Sequence, residues 1–268
     1  MPNLEILAQH NRDRLAKAKE QYLGKTFSSN NFGDFIVIDY VNSNRVKIKF
    51  VNTEHEMFAR LGDVLNGQVK DKSCETVYGV GIVGTKYKTK IPTGKSCKEY
   101  NTWKDMIKRC YHTNFKSKNK TYNDCISSEN FKYYEYFYEW CHKQIGFSEH
   151  GFEIDKDLLV KGNKLYSENT CVFLPKEINY VLVKCNSSRG EYPIGVCFHK
   201  QRNKFLSNIR LNNGKKNYLG LFDTPEKAFN AYKEAKEEYL KELAEKWKDK
   251  IDPRAYHTLI NYTVEITD

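Results

Sequence analysis

The chain has 268 residues, room for one to three domains, and its 40% hydrophobic and 14% aromatic residues supply enough core material to exclude a wholly disordered protein. Lys and Arg number 44 against 34 Asp and Glu, and the resulting charge of +10 fits a nucleic-acid partner or a plain basic surface. No run approaches the roughly 18 apolar residues of a membrane span, and Met1–Glu5 lacks a basic n-region or apolar leader, so the sequence predicts a cytoplasmic protein without a membrane partner.

Residues 4–20 are expected to form a short basic helix. Leu4, Leu7, Asn11, Leu15 and Ala18 fall near one face, with Arg12, Arg14, Lys17 and Lys19 elsewhere, which suits a solvated helix better than a DNA contact. "FGDFIVIDYV" and "RVKIKFV" then predict two strands joined at "NSN". Ile36, Ile38 and Tyr40 alternate, as do Val46, Ile48 and Phe50, and a third strand near 56–60 would complete a small β-barrel-like unit. "YGVGIVGTKY" at 78–87 lacks the Lys-Ser/Thr of a phosphate loop, so its glycines point to turns.

Helical spacing returns with Tyr100, Trp103, Met106, Ile107, Cys110 and Tyr111. A second set, Phe131, Tyr134, Phe137 and Trp140, recurs every third residue, and such a stripe fits a core. "HTNFKSKNKTYND" between them is expected as a basic loop, with Lys116, Lys118 and Lys120 open to phosphate or solvent. Strand "FEID", a loop, strand "CVFLP" and helix "KEINYVL" predict a ββα hairpin over 151–182. The eight cysteines (Cys74, Cys97, Cys110, Cys125, Cys141, Cys171, Cys185, Cys197) contain no C-x-x-C pair, so reduced thiols acting as small hydrophobes are expected rather than zinc ligands.

The C-terminal part predicts three strands over 194–200, 204–211 and 217–222, with Asn212-Asn213-Gly214 as a hairpin turn. Thr224 is a fitting N-cap, Pro225 occupies the first helical position, and a helix to about Lys248 would bury Ala228, Tyr232, Ala235, Tyr239, Leu243 and Trp247. On the middle strand Phe205, Ser207, Ile209 and Leu211 are expected to face the helix, and Lys204, Leu206, Asn208 and Arg210 to face away. No Asp or Glu lies between Tyr192 and Phe222, whereas Lys200, Arg202, Lys204, Arg210, Lys215 and Lys216 do. A twisted sheet of this size fits the major groove, where Arg and Asn read base edges and Lys neutralises phosphates.

"GVCFHKQRNKFLSNI" and "YLGLFDTPEKAFNAYKEAK" resemble the APETALA-type DNA-binding domain of plant ethylene-response factors, found also in phage and mobile-element endonucleases. The shared residues are Gly195-Val196, Ile209, Leu219-Gly220, Phe222, Ala228 and Ala231-Tyr232. The resemblance implies a sheet inserted in the major groove, with Lys200, Arg202, Lys204, Asn208, Arg210 and Tyr218 on DNA. Lys215 and Lys216 add charge beside them. Leu206 falls on the same face, where that family commonly has small or polar residues.

"YNTWKDMIKRCY", "IDKDLL" and "CVFLP" with "IN", between Tyr100 and Leu182, resemble the HNH-type homing endonucleases of phages that carry the same C-terminal domain. Those nucleases use one divalent metal, a water-activating His, an Asn that holds the hairpin, and a ligand on the helix. Here the resemblance places Asp155 at the first metal position and Asn179 at the helix ligand. Asn163 or Asn169 becomes the hairpin Asn, and Lys156 stands where the general-base His is expected. Strand alternation would set Asp157 on the same face as Asp155, where the two carboxylates would share Mg²⁺. All seven histidines (His10, His55, His112, His142, His150, His199, His257) lie outside the hairpin. Three alternatives stay open: a degenerate site kept as a DNA-docking scaffold, a modified metal mechanism through Asp155 and Asp157, or an ion-pair cluster with a structural role only.

The expected architecture is α+β in three parts. A helix and small β unit span 1–75, an HNH-like ββα domain 76–186, and a three-stranded antiparallel sheet packed on a helix 187–268. The expected function is site-specific double-stranded DNA binding, derived from a homing endonuclease of a phage or mobile element, without efficient cleavage, as a transcriptional repressor. A pure binder of this kind needs no cofactor, and its sequence is compatible with self-association. The alternative is an active HNH-type endonuclease that nicks or cuts DNA with Mg²⁺. An RNA-binding role fits less, since Tyr218 alone is a clear aromatic of the open face.

Overall fold

A computed structural model describes residues 2–183, 190–211 and 216–267. The expected turn at 212–214, Lys215 and Cys185 lie outside the described residues. The fold is mixed α+β and groups into two units, 1–88 with 133–135, and 89–132 with 136–268. Among the described residues no helix is long and apolar enough to cross a membrane.

In the first unit, α1 (Pro2–Tyr22) sets Leu15, Ala18 and Tyr22 against the sheet core, while Ile6 and Leu7 stay exposed. The sheet is an antiparallel meander of β1 (Thr26–Ser29), β2 (Gly33–Asn42), β3 (Arg45–Phe50) and β4 (Glu56–Ala59). Val46, Ile48 and Phe50 point inward along β3 as their period predicts. On β2 the expected Ile36-Ile38-Tyr40 face is split. Phe35 and Val37 are buried, the register then slips between Val37 and Asp39, and Tyr40 becomes the next inward residue. An extra residue at a bulge reverses the alternation beyond it, which propensity alone does not reveal. After α2 (Leu61–Leu65), the strands β5 (Glu75–Val77) and β6 (Gly81–Ile82) enclose Tyr78 and Gly79, both at positive φ, so the glycine-turn expectation holds.

Asp71 is the polar anchor of this unit. It is fully buried, and its carboxylate accepts from the Ser73 amide (2.8 Å), the Thr53 hydroxyl and the Cys74 thiol (3.4 Å), with His55 Nδ1 at 2.8 Å. Burial alone would raise this carboxyl, and the hydrogen bonds outweigh it and hold it below the usual range.

In the second unit, α3 (Lys98–Tyr111) buries Trp103, Met106, Ile107 and Cys110, and the Trp103 indole N–H donates to the Phe131 carbonyl at 2.8 Å. The expected basic loop at 112–124 is instead helical: α4 (Thr113–Lys118) precedes a 3₁₀ turn at Lys120–Tyr122. Tertiary bonds explain the difference. His112 Nδ1 accepts from the Phe115 amide (3.0 Å), the Lys116 ammonium donates to the Cys110 carbonyl (2.9 Å), and Phe115 packs on Tyr122. Beyond β7 (Ile126–Ser127), the aromatic stripe is core, with Phe131 beside α5 (Tyr134–His142) and Trp140 packed on Phe173.

The expected strand–loop–strand–helix segment follows. β8 (Phe152–Asp155) pairs antiparallel with β10 (Val172–Pro175), and α6 (Lys176–Leu182) continues from β10. Between them β9 (Leu165–Tyr166) pairs parallel with β7.

At the C-terminus, β11 (Val196–His199), β12 (Lys204–Arg210) and β13 (Lys216–Phe222) form an antiparallel sheet in that order. It packs on α7 (Pro225–Trp247), which Thr224 caps by accepting from the Lys227 amide at 3.3 Å. The buried stripe of α7 differs in phase from the expectation. Ala228, Phe229, Tyr232, Lys236, Leu240, Leu243 and Ala244 are buried, whereas Ala235, Tyr239 and Trp247 are half-buried. The helix serves two neighbours, the sheet and α8 (Pro253–Ile260), so its apolar band is wider than one stripe. Gly195 has φ of 80°, and a Cβ there would overlap the Tyr232 ring of α7, so glycine is required at this close approach.

The ββα segment and this sheet belong to the same unit. The Glu177 carboxylate of α6 accepts from Lys246 (2.7 Å) and from the Trp247 indole N–H of α7, and Phe152 meets the Trp247 ring edge-on at 5.5 Å.

Candidate functional site

The C-terminal sheet has one covered and one open face. Ser207 and Ile209 are buried toward α7, and Ile209 joins Phe229, Tyr232 and Val264 in the core. Alternation then turns Lys204, Leu206, Asn208 and Arg210 outward, as expected. The register orders the open face into rows: His199 opposite Lys204, Cys197–Leu206–Leu221, Asn208 opposite Tyr218, and Arg210 opposite Lys216. A bulge makes the third row. The register jumps between Ser207 and Asn208, so Leu219 is the extra residue and packs on the core. Without that slip Leu219 would face outward and Tyr218 inward; with it Tyr218 is 62% exposed.

Lys200 and Arg202 lie on the 3₁₀ turn that follows β11, and both are exposed. Lys204 pairs with Asp223 at 3.1 Å, an exposed ion pair of the kind worth about 1 kcal/mol or less and easily exchanged for a phosphate. Lys200, Arg202, Arg210 and Lys216 form no ion pair among the described residues. The sheet therefore presents four cations without an ion pair among the described residues around a central polar and apolar strip.

The hairpin differs from its expected geometry in one respect. β8 ends at Asp155, whose Oδ1 accepts from the amides of Asp157 (2.9 Å) and Leu158 (2.7 Å). That side-chain turn bends the chain out of the strand, so the alternation expected to align Asp155 with Asp157 stops one residue early. Burial pushes the Asp155 carboxyl above its ordinary range and the nearby Asp157 adds to this, against the two amide bonds and Lys156.

Lys156 is 6% exposed. Its ammonium donates to Asp157 (2.5 Å) and to the Asn163 carbonyl (2.8 Å), and it lies 5.7 Å from the Tyr166 ring centre. Of the two asparagines that the resemblance offered as hairpin clasp, Asn163 makes the bonds. Its Nδ2 donates to the carbonyls of Lys156 (2.8 Å) and Leu165 (2.7 Å), and its Oδ1 accepts from the Leu165 amide (3.1 Å). Asn169 is exposed, and its backbone carbonyl accepts from Arg254 at 3.4 Å. Asn179 on α6 has a buried Oδ1 with no hydrogen-bond partner among the described residues.

The structure thus brings Asp155, Lys156, Asp157 and Asn163 together, and among the described residues no hydrogen bond joins Asn169 to them. These residues do not fit a divalent metal as they stand. Oδ1 of Asp155 is engaged by two amides, Asp157 by an ammonium, and among the described residues no group of three His, Cys, Asp or Glu side chains is placed to hold an ion. The buried thiols fit the expectation of small hydrophobes, since burial raises Cys110 and Cys171 to about 12. The open-face positions of Cys197 and Leu221 escaped the sequence reading, because only the strand register assigns them to that face. No protein-family model, no curated protein and no solved structure matches this chain.

Proposed function

We propose that this protein is a site-specific double-stranded DNA-binding protein, related to phage HNH-type homing endonucleases with an APETALA-type reading domain, that holds DNA without cleaving it efficiently and acts as a transcriptional repressor. The observation that carries this reading is the open face of the β11–β13 sheet, where Arg210, Lys216, Lys200 and Arg202 have no acidic partner among the described residues and Asn208 and Tyr218 stand between them. Such a face neutralises phosphates with its lysines and offers Arg and Asn to base edges in the major groove. The hairpin supports binding without cleavage. Lys156 occupies the position of the expected general base, and it is committed to Asp157 and Asn163 and donates at both. A general base must accept a proton, and a side chain that donates at both of these contacts does not offer a lone pair to them.

The test is selection from a random-sequence duplex library by the purified full chain, followed by nick mapping of the enriched site with Mg²⁺ or Mn²⁺. One enriched site with intact strands, and lowered transcription from a promoter carrying it, is the expected result. Equal binding to all duplexes would remove the site-specific reading. One observation favours the alternative of an active metal-dependent HNH-type endonuclease: the Oδ1 of Asn179, without a partner among the described residues, on the helix position where the resemblance puts a metal ligand. Nicks at the enriched site that vanish in Asp155→Ala would establish that alternative.

A further inference from the structure

The open face of the C-terminal sheet is not uniformly basic. Its second row, Cys197–Leu206–Leu221, is apolar across all three strands and lies between the His199–Lys204 row and the Asn208–Tyr218 row. Cys197 is exposed, and Leu206 and Leu221 are half-buried. The core formed with α7 draws instead on the opposite face of the sheet, through Ile209, which packs with Phe229 and Tyr232 of the helix. A leucine offers a phosphate nothing and forms no hydrogen bond to a base edge. In the major groove a base pair presents one apolar group, the C5 methyl of thymine.

We infer that Leu206 and Leu221 read thymine methyl groups, so that the DNA partner carries thymines under the middle of the sheet while the cations on either side hold phosphates. This rests on the proposed DNA-binding function and adds to it the chemical identity of the bases read. Charge complementarity selects DNA as the occupant of this strip: Arg210 with Lys216 on one side and Lys200 with Arg202 on the other leave it within a cationic rim that an acidic duplex fits.

The experiment uses the full chain and the duplex enriched from a random library. Each thymine of that site is replaced in turn by deoxyuracil, which removes the methyl and leaves every hydrogen-bonding group. The expected result is a loss of about three- to fivefold in affinity at one or two thymines, the scale of one buried methyl. Leu206→Ser, checked for folding by circular dichroism, is expected to bind the thymine and deoxyuracil duplexes equally. If that variant fails to fold, Leu221→Thr takes its place, and the deoxyuracil series on the unchanged protein stands on its own. An enriched site indifferent to every replacement overturns the inference and leaves the DNA-binding function intact. The absence of any enriched site overturns that function and the inference with it. Self-association abolished by Leu206→Ser, without thymine dependence, assigns the row to a second copy and likewise overturns it.

Discussion

The buried pair of Lys156 and Asp157 gives the sharpest test of whether the hairpin is a clasp or a catalytic site. Lys156 is almost wholly buried, whereas the Asp157 side chain is 54% exposed, so the two partners differ in what each loses when the other is removed. Asp157→Ala leaves the ammonium with the Asn163 carbonyl, the Tyr166 ring and the nearby Asp155 carboxyl as neighbours of favourable sign. Breaking a fully buried pair this way costs about 3–5 kcal/mol; water reaching the Asp157 edge reduces the expectation to about 2 kcal/mol. Lys156→Met keeps most of the volume, and Asp157 turns to water, so the loss is one hydrogen bond to the Asn163 carbonyl, about 1 kcal/mol. The double variant should resemble Lys156→Met alone, a coupling of roughly 1–2 kcal/mol. Urea unfolding followed by tryptophan fluorescence measures this cleanly, because the three tryptophans, Trp103, Trp140 and Trp247, all belong to the second unit. A larger loss in Lys156→Met than in Asp157→Ala would refute the reasoning. So would a metal-dependent nicking activity that disappears with Lys156.

Gly195→Ala should cost about 3 kcal/mol or more in the same assay, since it adds a strained φ to an overlap with the Tyr232 ring; a loss under about 1 kcal/mol would mean that the ring moves aside freely. For Asp155, the folded protein holds the carboxyl proton more tightly than the unfolded chain, so ionisation removes stability as the pH rises above the ordinary value of 3.8. Asp155→Asn should therefore unfold at higher urea than the parent at pH 7, with the gain gone below about pH 4, and a variant less stable at pH 7 would contradict the assigned burial effect. Arg210→Ala should weaken the enriched site by roughly 1–3 kcal/mol and relax one base position, whereas Lys216→Ala should weaken all duplexes alike and reduce the salt slope by about one counterion, both measured by binding titrations at several salt concentrations.

The elements with their own local signals were legible in the sequence. Thr224-Pro225 marks the start of α7, the glycine-containing turn marks β5–β6, and the aromatic stripe of 131–140 marks core. What escaped depends on partners distant in sequence. α4 has no apolar period and is held by Cys110, His112 and Tyr122. The bulges at Val37/Asp39 and Ser207/Asn208 shift the inward set by one residue, and no composition rule announces them. α8 begins with Asp252-Pro253, a legible cap, yet its eight residues carry too short a period to stand out. At the hairpin the strands and helix are legible but the bonds are not: an Asp that ends its own strand sets Asp157 against Lys156.

The ββα segment has a structural role that the proposed binding function would preserve. Phe152 and Glu177, on β8 and α6, hold the Trp247 end of α7, and the other end of α7 supports the sheet through Phe229 and Tyr232. Removing the hairpin would strip the indole N–H of its acceptor and expose one face of Trp247 at the far end of the helix on which the open sheet is mounted. None of these roles needs a proton acceptor at position 156. A lysine there serves the clasp directly, since its ammonium joins Asp157 to the Asn163 carbonyl and closes the loop that Asn163 also closes from its side chain.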